Sequence, residues 1–201
     1  MDKRIMTEID NAVQNVLNEM GYNGFGKVST DDIVAAVSKI TNSTIDSYYV
    51  PFSEIKEECK DFGAMMRVTK DKEESNQKVT ILLNDEKDIK FRRFSLIHEL
   101  GHLVIDRHTT VVDDKNYKLS AHIQYNITNF PEEFCSNNKV LLNEQEANIF
   151  ALKVLMPEET FKSKLMNEND SLEDIASYFG VSEEAVRSRI LLMTNKNNIT
   201  G

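Results

Sequence analysis

The stretch SLIHELGHLV, residues 95–104, limits what this chain can become more than any other. Leu96, Ile97, Leu100, Leu103, Val104 and Ile105 make a helix that is apolar nearly all round, which reads as buried. The same helix carries His98, Glu99 and His102, and polar groups taken out of water must find partners where they end up. The two histidines are four residues apart, so they share one face of the helix, one turn from each other. Imidazoles so placed can converge on a single ion. Glu99 follows the first of them and can reach a water beside that ion without binding the ion itself. Chance alone puts H-E-x-x-H into roughly one such chain in a hundred, and it does not account for the apolar flanks. The pattern predicts a bound metal, and zinc is the ion this motif holds.

A catalytic zinc usually takes three protein ligands. Two candidates compete for the third place. His108, six residues after His102, gives H-E-x-x-H-x-x-I-x-x-H, but Ile105 stands where that arrangement needs a glycine to bend the chain, and Asp106 and Arg107 read as a helix end. Glu144 lies on the segment NEQEANIFALKVLMP, in which Glu144, Ala147, Ala151 and Leu155 form one helical stripe. The alanines would let this helix come close to the histidine helix. Asn148 lies on the same side, placed to hydrogen-bond a ligand histidine from behind. Glu146 projects elsewhere, in line with Phe150 and Lys153. The pattern favours Glu144.

The rest of the chain supplies the frame. With 201 residues, 40% hydrophobic and 28% charged, it suits a globular domain with a real core. No run approaches the roughly 18 apolar residues that a membrane span needs. The opening MDKRIMTEIDNAVQNVLNEMG scatters acids among Ile5, Ile9, Val13, Val16, Leu17 and Met20, so it reads as an amphipathic helix and not a secretory signal. Cys59 and Cys135 form neither a CxxC pair nor a disulfide framework, which suggests free thiols in a reducing cytoplasm. The net charge is −9, and Lys90, Arg92 and Arg93 are the nearest thing to a basic block. Generic nucleic-acid binding is therefore not expected, and the charge reads as serving solubility.

Further elements follow from spacing and turn residues. A second helix is expected over about 31–40, capped by STDD. TIDSYYVPF reads as a strand, SEIKEECK as a short helix, and AMMRVT with KVTILLN as a hairpin. The metal helix should span about 88–106, and NEQEANIFALKVLMP should be stopped by Pro157. Residues 107–142 are too long for a plain connection and give no clear pattern. EETFKSKL, SLEDIASYF and SEEAVRSRILLM read as three short helices, with a frayed tail. Helices, then a few strands, then helices predict an α+β fold with a small antiparallel or mixed sheet. The expected organisation is a unit at 1–157 holding the metal site, and a helical segment at 158–201 packed on it.

In RRFSLIHELGH and EQEANIFALKVLMP, with KVTILLN before them and DIASYFGVSEEAVRSRI after them, the chain resembles the ImmA/IrrE metallopeptidases. The resemblance covers about 25–192. It implies a zincin-like domain with a thermolysin-like zinc site and Glu144 as third ligand. It also implies a cytoplasmic bacterial protein, often encoded on a mobile element, that cleaves a helix-turn-helix repressor and so switches genes on. Two departures stand out. Ile97 occupies a place where the family usually has a small residue, and the 41 residues between His102 and Glu144 are long for it. That long segment contains Tyr117, His122 and Tyr125, none of which the resemblance assigns to stabilising a transition state.

On this reading Glu99 is the general base, and the strand Val79, Thr80, Ile81, Leu82 and Leu83, if it lies at the sheet edge, could pair with an extended substrate. The C-terminal segment SLEDIASYFGVSEEAVRSRI resembles a helix-turn-helix: Ser171 and Ser182 cap its helices, Gly180 separates them, and Ile175, Ala176, Phe179, Val181, Val186 and Ile190 form its core. Its second helix opens with Glu183 and Glu184, which repel phosphates, and only Arg187 and Arg189 oppose them, so protein packing is expected there in preference to DNA binding. Two other functions use the same features: a non-catalytic antirepressor, and a zinc-containing transcription regulator acting through the C-terminal helices.

Overall fold

The computed structural model describes residues 2–55, 62–70, 76–105, 120–121 and 139–198. The elements run α1 (Lys3–Glu19), α2 (Thr30–Thr41), β1 (Ser43–Val50), α3 (Phe52–Ile55), β2 (Ala64–Lys70), β3 (Gln77–Asn84), α4 (Ile89–Ile105), β4 (Ser120–Ala121), α5 (Lys139–Leu155), α6 (Glu158–Leu165), α7 (Leu172–Phe179) and α8 (Glu183–Asn198). This is the α+β arrangement expected. The last helix runs beyond the predicted end at 193. Among the described residues no helix is long and apolar enough to cross a membrane.

Local signals explain the boundaries. Ser29 caps α2 by accepting the Asp32 amide, and Asn42, with φ 50°, turns the chain out of α2 directly into β1. Asp88 caps α4: its Oδ1 accepts the amides of Lys90 and Phe91. Ser171 and Asp174 form a reciprocal capping box at the start of α7. α5 stops before Pro157, which then precedes α6.

The sheet has the order β1-β3-β2-β4. β2 and β3 form the expected antiparallel hairpin, from Ala64 opposite Leu83 to Lys70 opposite Gln77. β1 lies parallel on the other side of β3, from Ser43 opposite Gln77 to Val50 opposite Asn84. β4 joins β2 at Met65 and Met66. The sheet is therefore mixed, and one expectation is corrected. Val79, Thr80, Ile81, Leu82 and Leu83 belong to an interior strand whose backbone is occupied by ladders on both sides, so they cannot take up a substrate strand. An extended peptide can join this sheet only at an edge, and among the described residues the edges are β1 and β4.

Val79, Ile81 and Leu83 face the main core, where they join Ala64 and Val68 of β2 and Phe94, Leu96, Ile97 and Leu100 of α4. Every residue of α4 from Phe94 to Leu103 is buried. The same core continues through Ile149, Phe150, Leu152 and Leu155 of α5 to Ile175, Phe179, Val181 and Val186 of the C-terminal helices. The two apolar helices thus lie at the centre, with the sheet on one flank and α1, α2, α7 and α8 around them.

α4 and α5 meet at Gly101. A Cβ built there would lie 3.0 Å from Phe150 Cδ1 and 3.2 Å from both the Cα and the carbonyl oxygen of Ala147. A glycine inside a helix costs about 1 kcal/mol relative to alanine. Here the close approach of backbone to backbone explains its presence. Gly101→Val would push rigid atoms into Ala147, and we expect a loss of about 2–3 kcal/mol, read from the midpoint of urea unfolding.

Candidate metal centre

The geometry of α4 carries His98 and His102 one turn apart toward α5, and α5 returns Glu144 and Asn148 toward them. His98 Nε2 lies 3.1 Å from Glu144 Oε2, and His102 Nε2 lies 3.4 Å from Glu144 Oε1. The two Nε2 atoms are 3.1 Å apart, with the rings edge to face at 80°. All three residues are buried, and their ligand atoms lie within 4.8 Å of one another.

These distances fit a metal. Four ligands placed tetrahedrally at about 2.0–2.2 Å from zinc stand roughly 3.3–3.6 Å from one another. Charge leads to the same conclusion. Asn148 Oδ1 sits 2.9 Å from His98 Nδ1 and accepts the proton of that nitrogen. In neutral His98 this leaves a lone pair on Nε2, which faces a carboxylate oxygen and a second imidazole nitrogen. A cation placed among these three atoms would be bound by all of them, whichever tautomer His102 adopts without it. Two imidazoles and one carboxylate are a donor set that zinc accepts readily. Asn148 also fixes the ring orientation of His98. Asn148→Leu should weaken zinc binding by about 10–100-fold, measured by competition with a chromophoric chelator, with the fold retained.

Glu99 is 1% exposed, on α4 directly after the first histidine and outside the trio itself. Glu146 is not part of the trio either. It lines a small hollow with Gly101, His102, Ile105, Asn143 and Ala147, against the flank of His102, a placement that its helical phase alone did not reveal. Of the strand Val79 to Leu83, Val79, Ile81 and Leu83 supply core, while Thr80 and Leu82 are partly buried on its other face. His108, Tyr117, His122 and Tyr125, and the two cysteines, fall outside the described residues.

Sequence reasoning counted Arg93, one and a half turns before His98, only as part of a weak basic block and gave it no role in the fold. Its Nη1 donates to the carbonyls of Phe179 and Gly180, its Nη2 to Val28 O at 2.8 Å, and its Nε to Thr30 Oγ1 at 2.9 Å. Burial pulls the Arg93 pKa below that of a solvated guanidinium. The available signal was an arginine at the start of a helix with no polar face, which must find acceptors on other elements.

The profile of the IrrE N-terminal-like domain, Peptidase M78, matches residues 59–191, more than half of the chain and inclusive of all four residues at the centre. None of the curated proteins matches the chain. With a profile match of that extent over a buried His-His-Glu trio, the chain belongs to the IrrE N-terminal-like family of metallopeptidases, Peptidase M78.

Proposed function

We propose that the protein is a cytoplasmic zinc endopeptidase that cuts a helix-turn-helix repressor, in the setting of a mobile element, and so derepresses genes. His98, His102 and Glu144 are its zinc ligands, Glu99 its general base, and Asn148 the residue that orients His98. The observation carrying this reading is the convergence of two imidazoles and a carboxylate within 3.1–3.4 Å in a buried, two-helix setting.

Zinc, when bound, supplies a Lewis acid that polarises a peptide carbonyl and acidifies water. The chain's own residues do the rest. Glu99 takes a proton from the attacking water and returns it to the departing amine nitrogen, which becomes a neutral amine as the C–N bond breaks. Asn148 holds the His98 ring with Nε2 turned toward Glu144, the orientation in which His98 would hold the metal together with Glu144 and His102. The apolar flanks of α4 and α5 exclude bulk water, which strengthens each of these interactions.

The C-terminal helices support protein contact over DNA reading. Arg187 is ion-paired with Glu183, one turn away, and Arg189 is 3% exposed and donates to Met156 O at 3.2 Å. Arg189 is thus withheld by burial, Arg187 alone stays exposed, and Glu183 and Glu184 occupy the turn that would approach a phosphate backbone.

The deciding experiment counts zinc in the purified protein by elemental analysis. It then mixes the protein with the helix-turn-helix repressor encoded nearest its gene. Cut repressor supports the peptidase. Derepression with the repressor intact replaces it with the antirepressor, and a specific DNA shift without any repressor replaces it with the regulator.

A further inference from the structure

The three proposed zinc ligands come from two helices, α4 and α5, which pack against each other at Gly101 with Ala147 and Phe150 and again at His98 with Asn148. A change in the crossing angle of these two rods changes the spacing of His98 and Glu144. Something must fix the angle. Two arginines, Arg93 half-buried and Arg189 buried, stand at the right places. Arg93 of α4 reaches the C-terminus of α7, donating to Phe179 O and Gly180 O. Arg189 of α8 reaches the end of α5, donating to Met156 O, while its guanidinium carbon lies 5.6 Å from the centre of the Phe161 ring.

Between these ends the C-terminal helices form one continuous piece. Phe161 packs on Phe179 with ring centres 5.7 Å apart, and Phe179, Val181 and Val186 are almost wholly buried. The α7–α8 turn is shaped around Arg93. Gly180 has φ +64°, and a Cβ there would lie 2.6 Å from Arg93 Nη1, so both the backbone and the guanidinium exclude a side chain. Both arginines serve helix carbonyls left over at a C-terminus, where cations are favoured.

We propose that α7–α8 is a strap that runs from α4 to α5 and holds their crossing angle, with Arg93 and Arg189 as its two positioning residues. The helix-turn-helix shape is thereby used inside the molecule to preorganise the metal site. This inference rests on the zinc reading above for its functional consequence, though not for its mechanics.

The test uses the full chain as wild type, Arg93→Met, Arg189→Met and the double variant. Zinc affinity is measured by chelator competition at a temperature where circular dichroism shows all four folded. Each single change should weaken zinc about tenfold, the lower end of what outer partners of a metal site contribute. A strap cut at one end is already slack, so the double variant should also lose about tenfold, where independent sites would lose about a hundredfold. Single variants within twofold of wild type, or a double variant that multiplies the two losses, overturn the strap. If the methionine variants do not fold, Arg93→Lys and Arg189→Lys are judged by the same non-additivity. Should wild type bind no zinc, the zinc reading falls by itself, and hydrogen exchange in the metal-free protein then decides the strap. Amides of Leu100 to Leu103 and Ala151 to Leu155 should exchange faster to the same degree in either single variant and in the double. Unchanged or additive exchange rejects it.

Discussion

Glu99→Gln should leave the zinc content of the protein unchanged and lower the rate of repressor cleavage by about 10²–10⁴-fold. Glutamine keeps the size and hydrogen-bonding reach of the side chain but cannot take a proton from water near neutral pH. The substitution therefore separates chemistry from construction. Glu99 is buried on α4, inside the run from Phe94 to Leu103 that packs the core, so a larger change there would blur any kinetic result. The isosteric amide should shift the unfolding midpoint by little. A variant that cleaves within threefold of wild type would remove Glu99 from the mechanism. One that loses zinc along with activity would show Glu99 to be part of the metal's support instead.

The four-residue spacing of His98 and His102 and the apolar surroundings of α4 were visible in the string of residues, because helical phase and burial are local consequences of sequence. The stripe Glu144, Ala147, Ala151, Leu155 likewise foretold a helix able to approach closely, and the contact of Ala147 with Gly101 shows where it does. The position of Asn148, one turn after Glu144, placed it on the facing side, and its Oδ1 lies 2.9 Å from His98 Nδ1. Each of these needed only one element's periodicity plus the requirement that buried polar atoms be paired. The strand order needed more. KVTILLN reads as one strand of a hairpin, but the parallel partner on its far side, Ser43–Val50, comes from before the hairpin. Nothing in β3 alone names that neighbour. Arg93 shows the same limit: its acceptors at Phe179 and Gly180 are 86 and 87 residues away, at the end of a helix that exists only once α7 has docked.

The same separation of local from distant causes makes Glu144→Gln the most informative change at the centre. A buried dication held by two neutral imidazoles relies on this carboxylate for charge balance, since His98, His102 and Glu144 are the group able to hold a metal among the described residues. Removing one charged partner from a buried set typically costs 3–5 kcal/mol. At about 1.4 kcal/mol per decade this predicts zinc binding weaker by roughly 10²–10⁴-fold, measured by chelator competition. Stability without metal gives the opposite sign. In the metal-free protein the carboxylate oxygens face imidazole nitrogens at 3.1 and 3.4 Å, an arrangement that favours a cation between them. The amide of glutamine can donate to one of those nitrogens. Metal-free Glu144→Gln should therefore unfold at a urea concentration equal to or above that of metal-free wild type, while the zinc-loaded comparison should favour wild type strongly. A purely structural Glu144, paired with a protonated histidine, would instead lose stability in the metal-free state when its charge is removed, and zinc would make no difference to the comparison.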